Sequence, residues 1–180
     1  MAARIVFLDR DGTVNVDHGY VYRIADWQFT DRALESMRLL RTSGFGLAIV
    51  TNQSGIARGY YTLADVQILH EHLQDVLLAS GIALDAVAIC PHGPEAGCDC
   101  RKPLTGMARQ IENQIGRSVD YRRSWTIGDK ISDLQFGLAL ETHTALIRSD
   151  YWSDADLAVR PELIVDSLYD AAVQISRLEV

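Results

Sequence analysis

Asp9 and Asp11 stand two residues apart, directly after the apolar run Ile5-Val6-Phe7-Leu8 and just before Gly12. The run reads as a short buried strand, and Asp-Gly makes a turn where it ends. Two carboxylates are thereby raised out of a strand end, within reach of a ligand. Neighbouring carboxylates resist ionising together unless a cation or a proton holds them, so the pair points to metal binding or acid/base chemistry. Taken alone, the same residues also fit a plain acidic turn.

Three later segments add to the pair. The apolar run Gly46–Val50 opens into Thr51-Asn52-Gln53-Ser54. A loop carries Cys98-Asp99-Cys100-Arg101-Lys102-Pro103. Trp125-Thr126-Ile127 runs into Gly128-Asp129-Lys130, with Asp133 four residues past Asp129. Three strand ends thus carry two acids, a hydroxyl and an acid, and a loop adds a lysine. Ligands of open α/β sheets bind at the carboxyl ends of the strands. Metal-binding acids, a hydroxyl and a lysine gathered there make a phosphoryl-transfer site.

In these residues the chain resembles the haloacid dehalogenase superfamily of phosphohydrolases, whose four motifs fall on Asp9/Asp11, Thr51, Lys102 and Asp129/Asp133. It is most similar to the heptose 1,7-bisphosphate phosphatase family of bacterial lipopolysaccharide synthesis, over residues 4 to 148. That likeness rests on Asp17-His18-Gly19-Tyr20, on Thr51 through Gly59 (TNQSGIARG) and on the cysteine loop. The resemblance implies Mg²⁺-dependent removal of the 7-phosphate of D-glycero-D-manno-heptose 1,7-bisphosphate through an aspartyl-phosphate. Asp9 is then the nucleophile and Asp11 the general acid. Mg²⁺ falls to the Asp9 side chain, the Asp11 backbone carbonyl and Asp129, while Thr51 and Lys102 meet the phosphoryl oxygens.

Substrate contacts are expected from Asp17, His18, Gly19, Tyr20, Asn52, Gln53, Ser54, Arg58, Arg101 and Lys130. Arg101 and Arg58 are the candidate clamps for the second phosphate, because the guanidinium fork suits it. Several residues keep a second reading: Arg58 as a surface arginine, Tyr20 as packing, Lys130 as the partner of Asp9 or Asp129. Asp133 reads either as support behind the metal acids or as a helix N-terminal acid. Histidinol-phosphate phosphatases share much of the pattern, and polynucleotide 3′-phosphatases share Thr-Asn-Gln and a similar Gly-Ile stretch. A zinc-stabilised interaction module on an inactive phosphatase fold is the non-enzymatic alternative; it predicts a missing catalytic residue, and none is missing. The anomer of the heptose stays open.

Cys90, His92, Cys98 and Cys100 lie within 11 residues as Cys-x-His-x5-Cys-x-Cys. Three thiolates and an imidazole are a complete tetrahedral zinc set with no open position, so the zinc is structural. A disulfide is the competing reading, but three cysteines would leave one over. Zinc here would fix the loop that delivers Arg101 and Lys102.

These side chains need a scaffold, and the sequence alternates strands with helices. Strands are expected at Ile5–Leu8, Gly46–Val50, Ala86–Ile89, Trp125–Ile127 and Thr144–Ile147, with Ile164–Val165 as an edge. Helices are expected from Asp31 to Ser43 with Gly44 as a stop, and from a Thr62/Asp65 capping box to Gly81. Further helices read from Thr105 to Ile115, Leu134 to Leu140 and Ser167 to Ser176. The predicted fold is α/β: one Rossmann-like three-layer sandwich over residues 1–180 with a mostly parallel sheet. Only 37 residues separate Thr13 from Thr51, which leaves no room for a cap domain, so loops alone must roof the site.

His70, His72 and His143, and likewise Trp27, Tyr151 and Trp152, read as structural. A chain of 180 residues with 48% apolar and 23% charged content suits one soluble globular domain. Its formal charge of −7 argues against a general nucleic-acid binder. Neither a signal peptide nor a membrane span is read, so the expectation is a cytoplasmic monomer acting on a small phosphorylated sugar.

Overall fold

All four residues of β1 (Ile5–Leu8) are buried, which a strand achieves only when both faces of its sheet are covered. In the computed structural model, which describes residues 2–179, β1 lies inside a six-stranded sheet. The other strands are β2 (Gly46–Asn52), β3 (Ala86–Cys90), β4 (Trp125–Gly128), β5 (His143–Ile147) and β6 (Leu163–Val165). Their order is β3-β2-β1-β4-β5-β6, and every pairing is parallel.

The helices are α1 (Ala33–Thr42), α2 (Ser54–Ala57), α3 (Leu63–Ala79), α4 (Gly106–Ile115), α5 (Ile131–Leu140) and α6 (Leu168–Leu178). The two-residue period of the strands sorts them between faces. Val6 and Leu8 join Met37 and Leu40 of α1, Leu73 and Leu77 of α3, and Ile175 of α6. Ile5 and Phe7 join Met107 and Ile111 of α4 and Phe136 of α5. The fold is a single α/β three-layer sandwich. Strand order runs outward from β1 in one direction and from β4 in the other, so a crevice opens at their shared carboxyl end.

The expected elements are present, with bounds that differ for physical reasons. β2 runs on to Asn52 because Thr51 and Asn52 still pair with Ile89 and Cys90. α5 begins at Ile131, three residues early, because Asp133 folds back to accept from the Lys130 amide over 3.0 Å. α2 was not expected: one turn is too short to carry a 3.6-residue pattern. Thr62 and Asp65 form the expected capping box, the Asp65 amide donating to Thr62 Oγ1 over 3.2 Å and the Thr62 amide to Asp65 Oδ2 over 2.8 Å. Gly44 ends α1 at φ +88°, where a side chain would be strained. Between β1 and β2 there are loops, a 3-10 turn at Ile24–Asp26 and α1, with no separate cap. Among the described residues, no helix is long and apolar enough to cross a membrane.

Candidate active site

The carboxyl ends of β1 and β4 are tied together by the Asp9 amide, which donates to the Ile127 carbonyl over 2.9 Å. This brings the acid after each strand into one place. Donor oxygens of Asp9, Asp129 and Asp133 lie within 4.8 Å of one another, and all three residues are buried. Two glycines make the approach possible. A Cβ on Gly12, at φ +91°, would sit 2.2 Å from Asp129 Oδ2; one on Gly128 would sit 2.3 Å from the Asp133 Cβ.

Lys102 is the counter-charge. Its Nζ lies 2.5 Å from Asp9 Oδ1, 2.6 Å from Asp133 Oδ1 and 2.8 Å from the Val50 carbonyl. Its backbone is clamped to the end of β2: its amide donates to Asn52 Oδ1 over 3.0 Å, and Asn52 Nδ2 donates to its carbonyl over 3.2 Å. Asp133 spends one oxygen on Lys102 and the other on the Lys130 amide, so it braces the cluster and caps a helix at once.

Burial raises the Asp9 carboxyl to about 6, against the pull of Lys102. Burial, reinforced by Asp9, raises Asp129 to about 8. Burial disfavours the Lys102 charge, yet Asp133 and Asp9 outweigh it and hold the ammonium above its ordinary range. Asp129 Oδ1 is buried without a hydrogen-bond partner. An orphaned carboxylate oxygen facing two other acids fits a hard divalent cation such as Mg²⁺.

Asp11 points elsewhere. Arg10, fully buried, donates to both its oxygens over 3.1 and 2.9 Å, Asn15 Nδ2 donates over 3.0 Å, and Gln53 Nε2 over 2.8 Å. Its side chain is therefore outside the acid cluster, though it borders the same recess as Asp9, and its backbone carbonyl accepts from Lys130 Nζ over 3.5 Å. Gln53 Nε2 also donates to Thr51 Oγ1 over 2.8 Å, so the Thr51 hydroxyl hydrogen is left to point at a ligand. Tyr61 fixes the orientation of that amide by donating to Gln53 Oε1 over 2.8 Å. A small recess of about 40 Å³ reaches Asp9, Thr51 and Lys102.

Above it opens a pocket of about 350 Å³. Of the expected contact residues, Asp17, Gly19, Tyr20, Asn52, Gln53, Ser54 and Lys130 line it, beside Asp11. The others do not. His18 is exposed and lines a neighbouring hollow beside Trp27. Arg58 is exposed and has no ion pair among the described residues. Arg101 donates to the His92 carbonyl over 3.1 Å and lines a separate hollow with Pro94 and Leu104.

Lys130 lies 3.8 Å from Asp129 and closer, at 3.2 Å, to Asp17, a partner the sequence did not suggest. Tyr151, read from the sequence as a packing residue, is 60% exposed and lines the pocket, whereas Trp152 is buried as expected. Arg10 and Asn15 were missed as supports of Asp11; only their position beside the acid pair hinted at it. His70 is structural, its Nε2 3.1 Å from Arg10 Nη1. Arginine only donates, so the imidazole is neutral with its proton on Nδ1.

Cys90 ends β3, and the loop returns His92, Cys98 and Cys100 to it. All four donor atoms lie within 4.8 Å of one another, and the cysteines are unbridged. The Cys90 and Cys98 sulfurs are 3.8 Å apart. That is about the edge of a tetrahedron built on zinc–sulfur bonds of about 2.3 Å, while the Cys100 sulfur sits closer, 3.1 Å from that of Cys90. The donor set fits structural zinc, and Lys102 follows two residues later.

A haloacid dehalogenase (HAD) hydrolase-like family model matches residues 99–171. The chain is 42% identical over 173 residues to the D-glycero-beta-D-manno-heptose-1,7-bisphosphate 7-phosphatase of Yersinia pestis, covering 92% of this chain and 91% of that one. It is 39% identical over 150 residues to the enzyme of the same name from Pseudomonas aeruginosa, covering 83% of each. Among solved structures it is similar to D,D-heptose 1.7-bisphosphate phosphatase from B. bronchiseptica complexed with magnesium and phosphate. That match has a TM-score of 0.85 and 31% identity and covers 97% of this chain and 99% of the other. At this identity and coverage, the acids, the lysine and the cysteine cluster sit in a chain that belongs to the D-glycero-β-D-manno-heptose-1,7-bisphosphate 7-phosphatase family.

Proposed function

We propose that this protein removes the 7-phosphate from D-glycero-β-D-manno-heptose 1,7-bisphosphate, leaving heptose 1-phosphate. One observation carries the reading: Asp9 and Lys102 meet in a small recess that shares Asp11, Asn52 and Lys130 with a pocket of about 350 Å³, with Asp129 buried against Asp9, in a chain of this family. Asp9, Asp129 and the Asp11 carbonyl would hold Mg²⁺, which supplies charge neutralisation between the nucleophile and a phosphoryl oxygen.

The remaining roles belong to the chain. Lys102 holds the Asp9 carboxylate by one oxygen, leaving the other to attack phosphorus in line and form an aspartyl-phosphate. As the P–O bond breaks, Asp11 gives a proton to the leaving sugar oxygen. In the structure both Asp11 oxygens accept from Arg10, Asn15 and Gln53, so Asp11 acts as the acid once it has turned from these donors toward the leaving oxygen. Asp11 then takes a proton from the water that hydrolyses the intermediate. Thr51 and Lys102 stabilise charge that spreads over the phosphoryl oxygens in the transition state. Asp17, Gly19, Tyr20, Asn52, Gln53, Ser54 and Lys130 meet the sugar, and Arg58, Arg101 and His18, which stand outside this pocket, are the remaining candidate contacts. Zinc on Cys90, His92, Cys98 and Cys100 holds the Lys102 loop. The whole chain acts as one phosphatase domain, a cytoplasmic monomer taking a free sugar phosphate rather than nucleic acid.

The test is phosphate release with Mg²⁺ from both anomers of heptose 1,7-bisphosphate, from histidinol phosphate and from a 3′-phosphorylated oligonucleotide. Preference for the β-anomer is expected, and Asp9→Asn should lower turnover by at least about 10⁴-fold. Preference for histidinol phosphate would overturn the substrate, and turnover surviving Asp9→Asn would overturn the mechanism.

A further inference from the structure

Asp17, Lys130 and Tyr151 meet at the pocket mouth from three separate loops. Lys130 Nζ is 3.2 Å from Asp17 Oδ2 and 4.5 Å from the centre of the Tyr151 ring. The Tyr151 hydroxyl donates to the same Asp17 oxygen over 3.0 Å, and the Gly19 amide donates to the other over 2.9 Å. The loop that carries Tyr151 is fastened to the metal-site strand. Ser149 Oγ donates to the Asp129 carbonyl over 2.6 Å and accepts from the Tyr151 amide over 3.3 Å. Trp152 beside it is buried, its Nε1 donating to the Ile147 carbonyl over 3.1 Å. One aromatic anchors the loop while its neighbour is held out over the pocket.

This arrangement decides where the Lys130 ammonium rests. Asp9 and Asp129 attract it from below, more strongly the less water screens them. It stops 3.8 Å from Asp129 Oδ1, beyond hydrogen-bond reach, so that oxygen stays unpartnered, and on that side it only grazes the Asp11 carbonyl at 3.5 Å. The face of the Tyr151 ring and the Asp17 carboxylate supply the opposing attraction. We infer that Tyr151 is a positioning residue: with Asp17 it holds the Lys130 ammonium at the pocket mouth, toward the substrate and off the acids that take the divalent cation. The substrate half of this rests on the phosphatase reading above. The cation half rests on the acid cluster alone.

The experiment is calorimetric titration of Mg²⁺ into the full chain without substrate, beside steady-state kinetics on heptose 1,7-bisphosphate. Tyr151→Ala should weaken Mg²⁺ binding about three- to tenfold and raise KM about tenfold, with kcat lowered less than about threefold. Tyr151→Phe keeps the ring and should return Mg²⁺ affinity to within about twofold of the parent. Parent-like Mg²⁺ affinity and KM in Tyr151→Ala would overturn the inference, as would a loss confined to kcat. Because Tyr151 is 60% exposed, both variants should keep the parent melting temperature. Normal Mg²⁺ binding without turnover of the heptose in the parent would sink only the proposed substrate, and the titration would still decide for or against Tyr151. A parent that binds no Mg²⁺ would overturn the metal reading and this inference together.

Discussion

Lys102 sits between two buried carboxylates, and its removal measures how far the site depends on that charge. Lys102→Met leaves Asp9 and Asp133 facing each other without their shared partner. Breaking a buried pair in this way costs about 3–5 kcal/mol, because the charge left behind is uncompensated. Urea unfolding should report that loss, with part of it recovered on adding Mg²⁺. Turnover should fall at least about 10²–10³-fold, since the donor proposed for the phosphoryl oxygens is lost as well. Unfolding midpoints equal to the parent's would mean that the carboxylates have protonated and that Lys102 holds nothing in place.

At the scale of elements, the strand β3 and the loop after it form a lever whose far end is Lys102. Cys98 is the least buried of the three cysteines, so Cys98→Ser removes a metal donor with little change in packing. Elemental analysis should find one zinc per chain in the parent and none in the variant. The variant should also melt earlier and turn over more slowly, although Cys98 touches no substrate. Full zinc content and activity in the variant would detach this loop from the site.

Much of this element-level picture was legible in the sequence. Strand ends announce themselves through apolar runs that stop at polar groups, and the Cys-x-His-x5-Cys-x-Cys spacing places four donors in one loop. Tyr151 was not legible for a different reason. Its partner Asp17 is 134 residues away, and their meeting depends on β5 lying beside β4, a fact of sheet order with no local pattern. Arg101 shows the converse: its neighbours fix it in the sequence, but its guanidinium turns to the His92 carbonyl and away from the pocket.

Over the whole molecule, the acid cluster ties stability to pH. With no Mg²⁺ added, Asp9 and Asp129 hold protons to about 6 and about 8, well above the ordinary 3.8. A carboxyl whose folded value is raised favours the fold most at low pH, and that advantage is lost as pH rises through the folded value. Without Mg²⁺, the melting temperature should therefore fall from about pH 4 to about pH 8, through both acids up to about 6 and through Asp129 alone above it, at up to about 1.4 kcal/mol per pH unit for each proton. Saturating Mg²⁺ should flatten the slope, because the cation takes the place of the protons. Scanning calorimetry over that range checks this; equal slopes with and without Mg²⁺ would remove the cation from the cluster.

The place of β1 in the strand order has a consequence for how the chain is made. On a ribosome, Ile5–Leu8 emerges well before either strand that will flank it. Its β2 edge can close once Gly46–Asn52 has appeared, but its other edge waits for Trp125–Gly128, roughly 120 residues and several seconds later at about 5–20 residues per second. During that interval a wholly apolar strand presents open backbone, a template for pairing with another nascent chain. The strand that leads into Asp9 is thus also the one most exposed to misassembly during synthesis.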